Sequence, residues 1–287
     1  MKIARQYHAS AGREVGIARA ITQGITLKPF LPSLVDLRPF GIDVWEGDGY
    51  IDFEKVAEFG PPKVEFVMVR MGQSWGREDK KFERNWRGFK GVGIPRMSYH
   101  VVFPSQEVIP QVENVCRIFD RSGNGDLGEG PAWIDSQLVQ GQTREKVSVA
   151  TISMVRGVEG KLEKEAGVYT GKWHIEENME IQDWFGEIFW WLATWLWPKQ
   201  TRENQGPPRK VDEIPWKNVL FHQSASWGDG LAIGSQAKRI DYNRFIGTWE
   251  KMRELFKLGP HTGEQKAKLE LKWETIRDLE EAIKKAR

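Results

Sequence analysis

From about residue 41 to about residue 250, short apolar runs alternate with amphipathic stretches, and few folds accommodate that rhythm for so long. The runs are FGIDVW (40–45), VEFVMVR (64–70), RMSYHVVF (96–103), PAWIDSQ (131–137), EAGVYTG (165–171), WWLATWL (190–196) and NVLFHQS (218–224). Between them lie DFEKVAEF (52–59), DKKFERNWRGFKGVG (79–93), QEVIPQVENVCRIFDRS (106–122) and TREKVSVATISMVRGVEGKL (143–162), which carry helical periodicity. Asp52 suits a first helical turn, and Gly91 and Gly93 suit a helix end. Strand–helix alternation over about 200 residues predicts a parallel sheet closed as an α/β barrel. Side chains at the C-terminal ends of such strands form the active face. That rule gathers Asp43, Arg70, Tyr99, His100, Asp135, Gln137 and Tyr169 around one opening.

Composition narrows the classes of partner. Of 287 residues, 40% are hydrophobic and 29% charged, with a formal net charge of +2, which suits one large domain with appendages. So balanced a charge argues against a nucleic-acid partner. The most apolar window, IFWWLATWLW (188–197), spans ten residues, too few to insert into a membrane. The first residues hold no continuous apolar core of a secretory signal, so the expectation is synthesis in the cytoplasm without a leader. One cysteine, Cys116, excludes a disulfide framework, and its helical context suits an inert thiol. Fourteen tryptophans are unusual; most are expected in the core and a minority along a groove, where flat sugar faces stack on indole rings.

The chain divides into an N-terminal extension (1–39), a barrel (40–256) and a C-terminal helical tail (257–287). The extension has six Lys/Arg against two acidic residues, and PKQTRENQGPPRKVDEIPWK (198–217) reads as a surface insertion. In the tail, Leu269, Trp273, Ile276, Leu279 and Ile283 form one apolar stripe.

GNGDLG (123–128) fits a dinucleotide string, but it follows a helix and leads into a strand, the reverse of the required context. The overlapping DRSGNGD lacks the bidentate Glu of a calcium loop, since its twelfth position is Pro131. The five histidines lack metal-ligand spacing, and neither a metal nor another cofactor is expected. Three carboxylates remain: Asp43 in GIDVW, Asp135 in WIDSQ and Asp241 in RIDYNRF. Strand-end aspartates among aromatic residues point toward glycan cleavage.

GIDVW, the Phe82–Asn85–Trp86–Gly88–Lys90–Gly93 helix before MSYHVVF, then WIDSQ, VYTGKW, WLATW, FHQSAS and RIDYNRF occur in the order seen in glycoside hydrolase family 25. The chain resembles these muramidase lysozymes of bacteria, phages and fungi over about 41–250. The resemblance implies a modified TIM-like (β/α) barrel of five helices and eight strands, acting without metal or cofactor. It implies cleavage of the β-1,4 bond between N-acetylmuramic acid and N-acetylglucosamine in peptidoglycan. It carries the acidic set onto Asp43, Asp135, position 137 and Asp241, and the groove onto Tyr99, Tyr169, Trp191 and Gln223; the strand-end rule adds Arg70 and His100 to the expected substrate-binding set. His222 stands where the family commonly has an aromatic residue.

At position 137 the family's proton donor is Glu, and this chain has Gln137. An amide can hydrogen-bond a glycosidic oxygen but cannot protonate it, and losing a general acid costs about 10²–10⁴-fold in rate. The expectation is a site that binds glycan and turns it over slowly or not at all, whether Gln137 is natural or introduced. A non-catalytic wall-binding or virion-structural protein on the same fold is the alternative. Glu46 and Asp48 could also supply a proton, although the loop EGDGY reads as solvated. An extracellular substrate without a leader fits a phage lysin, or a protein carried to the wall on a particle through its terminal segments.

Overall fold

The computed structural model describes residues 38–194, 210–212 and 214–258. Most of the N-terminal extension and the C-terminal tail, with its apolar stripe, lies outside the described residues, as does most of the 198–217 insertion. The described residues fall within one compact unit, Asp36–Leu258.

The seven expected strands form as β1 (Phe40–Val44), β2 (Val64–Gln73), β4 (Arg96–Val101), β5 (Ala132–Asp135), β6 (Ala166–Gly171), β7 (Phe189–Ala193) and β8 (Val219–Asp229). Two more appear: the two-residue β3 (Arg77–Glu78), beside β2, and β9 (Arg239–Phe245), made by RIDYNRF. β1, β2, β4, β5, β6, β7 and β8 pair in parallel succession. β9 runs antiparallel to both β8 and β1 and closes an eight-stranded barrel.

The four expected helices are α1 (Phe53–Glu58), α2 (Phe82–Gly91), α3 (Val108–Arg121) and α4 (Arg144–Leu162). α5 (Lys172–Asn178), the single-turn α6 (Gly230–Ile233) and α7 (Trp249–Phe256) bring the total to seven among the described residues. Asp52 caps α1, accepting the Lys55 N–H at 3.0 Å. α2 ends at Gly91, and Gly93 takes the left-handed conformation that releases the chain into β4.

Alternation along the strands sorts side chains into two layers. Val67, Val69, Met97's neighbour Ser98, Ile134, Val168 and Leu192 face outward and are buried beneath the helices or in the strand wall. Phe66, Met68, Met97, Tyr99, Trp133, Tyr169, Trp191 and Phe221 share the other cluster, which fills the barrel. Trp133 packs edge-on against Trp191 at 6.1 Å and Phe221 at 5.6 Å. Such crowding leaves no space at Gly41, where a Cβ would meet the Phe66 ring at 2.3 Å, or at Gly167, where it would meet Trp133 at 2.6 Å. At one end α7 sets Phe256 parallel to Phe221, with ring centroids 6.0 Å apart. The barrel is therefore packed and stoppered, and its chemistry is confined to the end where β1, β2, β4, β5 and β6 terminate.

GNGDLG forms a tight loop with Asn124, Gly125 and Gly128 at positive φ. Asp126 is committed to Lys90 at 2.7 Å and to the buried Arg96 at 2.9 Å. It ties α2 and β4 together, a structural task.

Candidate active site

Inward-facing positions toward the strands' C-terminal ends supply the site. Asp43 comes from β1, Arg70 from β2, Tyr99 from β4, Asp135 from β5 and Tyr169 from β6. β8 and the antiparallel β9 add Gln223, Asp241 and Asn243. Asp43 and Asp241 are direct partners in the β1–β9 register, which brings residues almost 200 positions apart side by side.

Two amides organise that side. Gln223 donates from Nε2 to Asp43 Oδ2 at 2.9 Å and to Asp241 Oδ2 at 3.0 Å, and its Oε1 accepts the Tyr169 hydroxyl at 2.8 Å. Asn243 donates to Asp43 Oδ2 at 2.8 Å, while its Oδ1 accepts the Trp191 indole N–H at 2.8 Å. Trp191 is fully buried, with the Tyr169 ring 4.1 Å away and the Tyr99 ring 5.8 Å away. It forms the floor beneath the carboxylates.

On the β2 side, Arg70 donates from Nε to Asp79 Oδ2 at 2.8 Å and reaches Glu46 at 3.3 Å. Its guanidinium lies 4.3 Å from the centre of the half-exposed Trp45 ring. Glu46 also accepts from Arg77 and from the Lys80 N–H, which lowers its pKa and holds it as a bound anion. Asp48, from the same loop, is only 6% exposed, so EGDGY is not the solvated loop its composition suggests. Its carboxylate accepts the Trp45 N–H at 2.8 Å, and its carbonyl accepts from Ser235 at 2.9 Å and Ala237 at 3.1 Å.

Asp135 closes the far side, 8% exposed at the end of β5. Its neighbour Ser136 turns outward to Thr151 of α4 at 2.8 Å. Gln137 follows two residues beyond the strand and is partly exposed.

Burial spreads these carboxyls upward in pKa. Desolvation dominates in each case and disfavours the anion. Asp43 rises to about 6, restrained by the Asn243 and Gln223 hydrogen bonds. Asp48 rises to about 7, with Asp43 and Asp79 adding repulsion against the Trp45 N–H and Arg70. Asp135 reaches about 8, raised further by Asp43 and opposed by Arg70. Asp241 is pushed well above the carboxylate range by burial and then by Asp43 and Asp48. Carboxyls spaced across neutral pH are the raw material of general acid–base chemistry.

One expected member stands apart. The alternation that turns Tyr99 inward turns His100 outward, where its Nε2 donates to the Ser74 carbonyl at 3.0 Å. Burial lowers its pKa to about 4, leaving a neutral structural imidazole rather than a groove residue. His222 is likewise buried, with Nε2 donating to the Thr194 carbonyl at 3.1 Å. Conversely, Asn243 joins the site unannounced, because only strand pairing brings it there, and Asp48, a possible proton source expected in a solvated loop, is buried by a distant segment. Among the described residues, no group of three or more His, Cys, Asp or Glu is arranged to hold a metal ion. None of their helices is long and apolar enough to cross a membrane.

The family model described as Glycosyl hydrolases family 25 matches residues 42–229. Among solved structures, a family 25 glycosyl hydrolase from Bacillus anthracis superposes with a TM-score of 0.60 at 18% identity, covering 77% of this chain and 94% of that one. A bacterial lysozyme from Streptomyces coelicolor gives 0.62 at 16%, covering 77% and 99%. The catalytic domain of an endolysin from a Listeria monocytogenes bacteriophage gives 0.57 at 16%, covering 77% and 98%. No curated protein sequence matches. Likeness at such identities establishes the barrel, whereas the family match spans most of the strands that carry the carboxyls; the chain belongs to glycosyl hydrolase family 25.

Proposed function

We propose that the chain acts on the glycan strands of bacterial peptidoglycan, as a muramidase directed at the β-1,4 bond between N-acetylmuramic acid and N-acetylglucosamine. The convergence of Asp43, Asp135 and Asp241 from three distant strands on one aromatic-floored mouth carries this reading. Cleavage of a glycosidic bond needs an anion facing the positive charge that develops on the sugar and a proton for the departing oxygen. Asp43, with two amide donors on Oδ2, is suited to the anionic role. The exposed Trp45, Trp75 and Trp173 follow the ends of β1, β2 and β6, where they offer platforms to sugar rings. Lysozyme and endolysin activity, named for the Streptomyces and Listeria phage structures, supports the same substrate class.

Gln137 removes the acid that the family pattern places there. Where no other carboxyl supplies the proton, that loss lowers turnover by about 10²–10⁴-fold relative to a Glu-bearing site, while sugar binding persists because the amide is nearly isosteric. The test is clearance of a purified peptidoglycan suspension by the chain and by Gln137→Glu, with pull-down on insoluble wall in parallel. Faster clearance by the variant supports the muramidase reading. Binding by both proteins with clearance by neither favours the second reading, a glycan-binding protein that has given up hydrolysis, which Gln137 itself motivates. Either way the place of action is the cell wall, reached as a phage lysin or on a particle. Loss of wall pull-down on deleting residues 1–39 or 257–287 would assign those segments to anchoring.

A further inference from the structure

We propose that Asp135, rather than residue 137, bears the proton taken by the departing sugar in this chain. The inference rests on the glycan-hydrolase reading above and changes which member of WIDSQ is the acid.

The carboxyls differ in the hydrogen-bond donors they meet. Asp43 receives two side-chain amide donors, Asp241 one, and Asp48 a backbone N–H. Asp135 is as buried as Asp43, yet its Oδ1 is enclosed without any hydrogen-bond partner. Enclosing a carboxylate oxygen without a donor is costly, and the site escapes that cost by keeping the group protonated. The neighbours reinforce the choice. Across the mouth, Asp43 on β1 adds negative charge. Arg70 on β2 is the cation that opposes protonation, but its guanidinium is taken by Asp79 and Glu46. Tyr99 on β4 and Tyr169 on β6 stay neutral, their phenols pushed well above the usual range by burial, and the Tyr169 hydroxyl is spent on Gln223. The backbone holds the acid in place: the Asp135 carbonyl accepts the Val102 N–H at 3.0 Å, and the residue sits in register with Val101 and Tyr169.

The step balances without a cofactor. The bond from the anomeric carbon to the glycosidic oxygen breaks, and its electron pair stays on that oxygen, which takes the Asp135 proton and leaves as an alcohol. Asp43, as carboxylate, faces the positive charge left on the sugar. A water oxygen then bonds to the anomeric carbon, and the proton it sheds restores the Asp135 acid. Gln137 contributes an amide hydrogen bond and no proton.

The experiment measures reducing ends released from purified peptidoglycan by the full chain, Asp135→Asn, Gln137→Ala and Gln137→Glu. Turnover above blank by the unaltered chain is expected, falling at least about 10²-fold in Asp135→Asn but only a few-fold in Gln137→Ala. Activity should need ionised Asp43 and protonated Asp135, giving a bell between about pH 6 and about pH 8 whose alkaline limb disappears in Asp135→Asn. A dinitrophenyl glycoside of the same sugars, whose leaving group needs no proton, should be cleaved almost equally by the chain and by Asp135→Asn. A merely structural role for Asp135 would depress both substrates alike and would overturn the proposal. So would a blank-level rate for the unaltered chain beside an active Gln137→Glu, an outcome that leaves the muramidase reading intact. Silence from every protein, Gln137→Glu included, would instead sink the enzymatic reading itself.

Discussion

The two sides of the barrel mouth are built on opposite terms. Along β8, β9 and β1, each carboxyl meets an amide: Gln223 bridges Asp43, Asp241 and Tyr169, and Asn243 joins Asp43 to Trp191. At the end of β5, Asp135 has comparable burial and an oxygen with no donor. Desolvation raises both; the amide hydrogen bonds hold Asp43 back to about 6, whereas Asp135, without them and repelled by Asp43, reaches about 8. Burial alone therefore does not assign a carboxyl its protonation state; the number of donors and the neighbouring charges decide it too. Asp241, with one amide donor and two aspartates nearby, is still pushed well above the carboxylate range. The arrangement also stores a cost, because several neighbouring aspartates are withdrawn from water where few cations reach them.

The most disruptive way to break the contrast is to make the donor-rich side donor-poor. Gln223→Leu removes both amide hydrogen bonds to Asp43 and Asp241 and strands the Tyr169 hydroxyl. Leaving several buried polar groups unpaired is expected to lower stability by about 2–4 kcal/mol, read from chemical denaturation. It should also raise the acid limb of the pH–rate profile above about 6, toward the alkaline limb. An unmoved acid limb would mean that the amides do not set the state of Asp43.

A smaller effect comes from the donor-poor side. The pKa of Asp135 is raised on folding, so the folded chain binds that proton more tightly than the unfolded chain does. The associated stability is fully present below the unfolded value near 4 and is lost as pH rises through about 8. Asp135→Asn removes this loss. Its stability relative to the parent should therefore improve between pH 5 and pH 8 by about 2 kcal/mol or more, since one pKa unit corresponds to about 1.4 kcal/mol. Thermal unfolding of both proteins at the two pH values checks this, and parallel pH dependences would refute a buried proton at Asp135.

The sequence reading and the structure agree where the information is local. Seven strands and four helices are legible in periodicity, because a barrel strand shows its apolar run and an amphipathic helix its stripe. β9 is not legible. RIDYNRF has charges at Arg239, Asp241 and Arg244, and it becomes a strand by pairing with both β8 and β1. Arg244 is accommodated because its guanidinium lies 4.9 Å from the Phe40 ring centre and donates to the Arg38 carbonyl. Asp48 is hidden for the same reason: Ser235, 187 positions away, seals its loop. His100 errs in the other direction, since position at a strand end indicates the right rim and alternation then decides the face. Gln137 stands out only against the family pattern, because nothing in WIDSQ taken alone says that an acid belongs there.

Trp45 tests the rim of the same contrast with the smallest effect. Its ring stacks on Arg70, but the guanidinium is already fixed by Asp79 and Glu46, and the indole is 42% exposed. An exposed cation–π contact is worth about 0.5–1 kcal/mol, so Trp45→Ala should cost no more than that in stability. The pH–rate limbs should not move, because Arg70 keeps its place and its charge. Affinity for soluble glycan fragments should fall, since the variant loses a stacking surface at the mouth, and calorimetric titration measures that loss directly. If the alkaline limb moved instead, Arg70 would have been freed toward Asp135, and the bareness of that carboxyl would depend on an aromatic ring that holds the nearby cation away.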